Sequence, residues 1–83
     1  MSSAAIQNLL HDVVAELVEM SKDKSLWEAG EFNQGRLSSV HQMLMLVERE
    51  VEVFEVKKAA AGLGDFDVAA WFRLGPKYWQ SHA

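Results

Sequence analysis

The chain of 83 residues has no cysteine, which excludes disulfide staples and thiolate zinc sites. Basic residues are few: 8 Lys and Arg stand against 12 Asp and Glu, a formal charge of −4. A nucleic-acid binder carries a basic stripe, and none is present here. The same shortage disfavours docking on an anionic membrane. Apolar residues are interrupted by charge everywhere, and no run approaches the roughly 18 residues needed to span a bilayer. The N-terminal stretch Met-Ser-Ser-Ala-Ala has no basic region ahead of an apolar core, so it does not read as a secretory signal. The expected location is cytoplasmic.

Catalytic and metal-binding patterns are also missing. The histidines His11, His41 and His82 are scattered without ligand spacing, and no Glu-x-x-His motif suggests a di-metal bundle site. Ser38 and His41 are three apart and share a helix face, but no acidic third member or oxyanion turn accompanies them. No glycine pattern matches a phosphate-cradling loop. We therefore expect no catalytic residue, no metal and no cofactor.

What is present is helical periodicity. Ile6, Leu9, Leu10, Val13, Val14, Leu17 and Val18 recur at three- and four-residue steps, opposite Gln7, Asn8, His11, Asp12, Glu16 and Glu19. This pattern predicts a helix over about 3–21, capped by Ser2 or Ser3 and ending at the polar stretch "SKDKS". Ser25-Leu26-Trp27-Glu28 has capping-box spacing, so a second helix starts at about 26, or at 31 if Gly30 breaks the chain. Its stripe is Leu37, Val40, Leu44, Val47, Val51 and Phe54. "EVEVFEV", residues 50–56, alternates like a strand, but the helical phase runs through it and "KKAAAG" follows. The second helix is thus expected to end between 55 and 61, with Gly62 as the stop and Lys57 and Lys58 near the negative end of its dipole. After the hinge "GLGDFD", Asp65 or Asp67 can cap a short helix over about 66–74, closed by Gly75 and Pro76. An aromatic tail, 76–83, completes one domain over 1–83.

Two groups of residues are candidate sites. Trp71, Phe72, Tyr78 and Trp79 fall close together, and such side chains offer large contact area. They read as a lid folded over the helix pair, as an exposed patch for a partner, or as a stacking platform for a flat ligand. The other group is Gly35 with Phe32. Glycine inside a helix costs about 0.5–1 kcal/mol against alanine, and close approach of another group would offset that. Trp27, Trp71 or a second subunit could supply it.

The segment "LWEAGEFNQGRLSSVHQML", followed by "VEVFEV", resembles short helical accessory proteins encoded by bacteriophages and prophages. In these a tryptophan-glutamate-glycine turn leads to a phenylalanine and a glycine, then to a leucine-rich helix ending near a valine-phenylalanine pair. The matching positions are Trp27, Glu28, Gly30, Phe32, Gly35, Leu44, Val53 and Phe54, within residues 26–56. Where a glycine often follows that phenylalanine, this chain has Glu55, so the helix end is open to a shift. The resemblance implies a small protein that binds and inhibits or redirects a host protein. It implies no catalytic residue.

The expected fold is all-α: an antiparallel hairpin of two long helices with a short C-terminal helix. So short a chain buries only about 60% of its unfolded surface, and Met43, Leu44, Met45, Leu46 and Val47 leave little polar face. Pairing into a four-helix-bundle-like homodimer would cover the excess. The expected function is a non-enzymatic dimeric interaction module with a host or cognate protein partner. Two other classes stay open: a nucleotide-like small-ligand binder using the C-terminal aromatics with Arg73 or Lys77, and an acidic immunity or antitoxin-type protein.

Overall fold

Two long helices, each too apolar on one side to stand alone, set the architecture. A computed structural model of the chain describes residues 3–81. Helix α1 spans Ser3–Met20 and α2 spans Glu31–Val53; Ser2, one of the two expected caps, lies outside the described residues. Two short helices follow, α3 over Val68–Leu74 and α4 over Lys77–Ser81. The protein is all-α, with the long helices in contact and no strand among the described residues. Met20 borders Val40 and Met43, whereas Leu10 borders Val47, Val51 and Phe54. The two helices therefore run in opposite directions.

The capping box at Ser25 does not form. Asp23 takes the capping role instead, accepting from the Ser25 amide at 2.9 Å, and residues Lys24–Trp27 make one 3-10 turn. The chain then passes through Gly30 at φ +121°, a conformation closed to residues with a Cβ. Gly30 is a break, and α2 begins just after it. Arg36 fastens the first turns of α2 to the connection through Asp23 at 2.9 Å and Ser25 at 3.2 Å.

Helix α2 ends at Val53, short of the expected 55–61. Glu55 takes the left-handed conformation at φ +55°. Its amide donates to Glu52 at 3.2 Å, and the Val56 amide donates to Val51 at 3.0 Å. These are the paired bonds of a Schellman stop, with glutamate where glycine is usual. The strand-like alternation of 50–56 is thus divided between the last helical turn and this stop. "KKAAAG", despite its helix propensity, forms turns, because tertiary packing overrides propensity. Ala61 is fully buried, and a Cβ on Gly62 would stand 2.6 Å from the His11 carbonyl oxygen. The turn lies directly on the α1 backbone at that point.

The C-terminal segment starts two residues later than expected. Asp67 caps α3 through the Ala70 amide at 3.0 Å, and Glu48 reaches from α2 to accept from the Val68 amide at 3.3 Å. Gly75, at φ +65°, closes α3 by donating to the Trp71 carbonyl at 2.8 Å. Beyond Pro76 the tail is helical as far as Ser81.

Two substitutions test these backbone assignments by thermal or chemical denaturation. Glu55→Gly relieves the left-handed glutamate and is expected to add about 0.5–1 kcal/mol. Gly62→Ala drives a methyl into the His11 carbonyl and is expected to cost about 1–3 kcal/mol.

Candidate interaction surface

The C-terminal aromatics form a lid. Trp71 is fully buried and donates its indole N–H to the Ser21 carbonyl at 2.9 Å. Trp79 donates to the same oxygen at 3.2 Å. Phe66 stacks on Trp79 with centroids 5.4 Å apart and meets Tyr78 edge-on at 5.5 Å. The Tyr78 hydroxyl accepts from the Asp67 amide at 3.1 Å. Trp27 packs its edge on Trp71 at 5.6 Å. These rings close one side of the helix pair over Val14, Leu17, Val40 and Leu44.

Of the four candidate partner-binding aromatics, Trp71 and Tyr78 are therefore core residues, which removes them from any free surface. Trp79 is half-buried with Lys22 over its ring at 5.1 Å. Phe72 remains exposed and lies flat on His41, 3.7 Å between centroids and 8° between planes. One face of Phe72 is thus taken by His41 and one face of Trp79 by Phe66. His41 thus faces Phe72, and not a Ser38 nucleophile. Among the described residues no three His, Asp or Glu side chains converge as metal ligands would. No helix among them is long and apolar enough to cross a membrane.

The other side of the pair is bare. On α1, Ile6, Leu9, Leu10, Val13 and Met20 are exposed; on α2, Phe32, Met43 and Leu46 are, with Phe54 just past its end. Phe32 is 78% and Phe54 71% exposed, extreme values for the largest apolar side chains. Two hollows lie along the α1–α2 seam. One, of about 530 Å³, is bounded by Met20, Phe32, Gly35, Val40 and Met43. The other, of about 440 Å³, is bounded by Leu10, Leu46, Val47, Val51, Phe54 and Val56. Gly35 lines the first hollow, and no atom of the chain lies within 4 Å of where its Cβ would be. Neither Trp27 nor Trp71 makes the close approach to Gly35.

Sequence periodicity identified these stripes as wider than one hairpin can cover, without dividing them residue by residue between the hairpin core and the bare face. Within the chain, only Val14 and Leu17 of α1 are buried in the core. The residues missed were Trp27, Phe66 and His41, which hold the lid in place. Trp27 was visible in the capping-box stretch, and nothing in the sequence paired Phe66 or His41 with the tail.

No family model, no curated protein and no solved structure matches this chain. The surface must be read from its own geometry.

One electrostatic feature of that geometry is directly testable. Hydrogen bonds from the Ser25 hydroxyl, from Arg36 and from the Ser25 amide lower the Asp23 carboxyl from 3.8 to about 2. Its stabilising contribution is thus complete above pH of about 4 and is lost as the pH falls through about 2. Asp23→Asn is expected to be less stable than the parent at pH 7. The gap should close between about pH 4 and pH 2, read by urea denaturation at each pH.

Proposed function

We propose that this protein is a non-enzymatic interaction module that works as a homodimer. Two antiparallel hairpins would join through their α1–α2 faces into a four-helix-bundle-like core. The observation that supports this most is the bare face itself. Phe32 and Phe54 are 78% and 71% exposed on it, and Ile6, Leu9 and Val13 are each at least half exposed. Monomeric proteins rarely leave contiguous apolar patches beyond a few hundred Å².

The role of the dimer follows from the resemblance to phage and prophage accessory proteins: it would bind a host protein and inhibit or redirect it. Of the positions that carry the resemblance, Phe32, Gly35 and Phe54 line the proposed dimer face, whereas Trp27 packs on the lid and Leu44 is buried in the core. Phe72 and Leu74, each 41% exposed, project from α3. They would remain open to a further partner after two copies had paired.

Sedimentation equilibrium at micromolar concentration is expected to give twice the chain mass of 9.3 kDa. Leu46→Glu places a charge in the middle of the face and is expected to weaken pairing at least about 10-fold, since burying an unpaired carboxylate costs several kcal/mol. A parent chain that sediments as one copy throughout would contradict the proposal.

A further inference from the structure

The bare ridge of α2 is symmetric about one residue. Arg36 and Glu50 each stand seven positions from Met43, and Phe32 and Phe54 each stand eleven from it. Seven and eleven residues are close to two and three full turns, so all five side chains share a face. Arg36 and Glu50 on this ridge have opposite signs, while Glu31 stands at the outer end of the first hollow, off the line through Met43. The two hollows also flank Met43, one toward each end of the helix.

Resting on the dimer reading above, we infer that the occupant of this face is a second copy in one register: α2 antiparallel to α2, with the two-fold axis at Met43. In that register Met43 meets the partner's Met43, and Phe32 meets the partner's Phe54. Arg36 meets the partner's Glu50, twice over by symmetry. A parallel pairing would set Arg36 against the partner's Arg36 and Glu50 against the partner's Glu50, and like charges in contact oppose association. The antiparallel register turns both repulsions into attractions. Arg36 has five N–H donors, and its bonds to Asp23 and Ser25 use two of them. Glu50 sits at the rim of the second hollow, beside Arg49 at 3.3 Å.

The register also accounts for Gly35. A larger side chain would fill the hollow between Phe32 and Met43, which in this arrangement receives the ridge of the opposing helix, including the partner's Leu46. The glycine penalty is then offset by packing between copies, where none is available within the chain.

The absence of native cysteine makes the test direct. Single-cysteine variants of the full chain are treated with a bismaleimide of about 8 Å span, comparable to the interaxial distance of packed helices. Met43→Cys is expected to link two chains efficiently. Glu50→Cys is expected not to link to itself, because the two copies of that position are about 21 Å apart along the helices. In parallel, Glu50→Arg is expected to weaken dimerisation at least about 10-fold by sedimentation. Arg36→Glu combined with Glu50→Arg also removes the Arg36–Asp23 tie, so helical content is checked by circular dichroism; the folded double variant is expected to dimerise at least about threefold more tightly than Glu50→Arg alone. Equal linking at both positions would overturn the antiparallel register. A parent dimer in which Met43→Cys does not link and the double exchange restores nothing would overturn the register and leave the dimer reading standing. A monomeric parent would overturn both.

Discussion

One carbonyl oxygen, that of Ser21, organises the molecule. It sits just past the end of α1, where the last carbonyls of a helix have no intrahelical partner. Ser21 is 1% exposed, so water cannot satisfy it, and an unpaired buried carbonyl would cost about 1–3 kcal/mol. Two indole N–H groups, those of Trp71 and Trp79, converge on it. The Ser21 hydroxyl turns back to donate to the Val18 carbonyl. The C-terminal third of the chain is thereby tied to the corner between α1 and α2, some fifty residues away in sequence.

That tie decides which side of the helix pair is covered. Once Trp71 and Trp79 are fixed, Phe66, Tyr78 and Trp27 pack around them and close one side. Glu48 and Asp67 secure the start of α3, and Lys58 donates to the Phe66 carbonyl at 3.2 Å. Among the described residues, none covers the opposite side. The three tryptophans and the tyrosine are spent on one face, and the α1–α2 seam is left apolar and open.

The main elements were legible in the sequence because they rest on periodicity. The α1 stripe, the α2 stripe and the Gly75-Pro76 stop each follow from local spacing and backbone chemistry. Other features depended on contacts distant in sequence. "KKAAA" has every local reason to be helical, but Ala61 is buried and Gly62 lies against the His11 carbonyl, so the helix stops earlier. Ser25 and Asp23 are both good caps, and the choice between them is made with Arg36, which ties Asp23 to α2. Periodicity also shows that Ile6, Leu9, Leu10 and Val13 share a face without saying what covers it. The same limit applied to the four C-terminal aromatics, where the Ser21 carbonyl separates lid from patch. Glu55 takes the left-handed conformation that a glycine would favour, and no local spacing announces it.

The chain covers one side of its helix pair with its own C-terminal aromatics, and a second copy is proposed to cover the other. Isotope-filtered nuclear Overhauser spectroscopy on an equal mixture of labelled and unlabelled chains addresses it most directly, because it reports only contacts between copies. Intermolecular signals are expected from the side chains of Leu10, Met43, Leu46 and Phe54, and none from Trp71 or Tyr78. No intermolecular signal at all, or signals confined to Phe72 and Leu74, would contradict it.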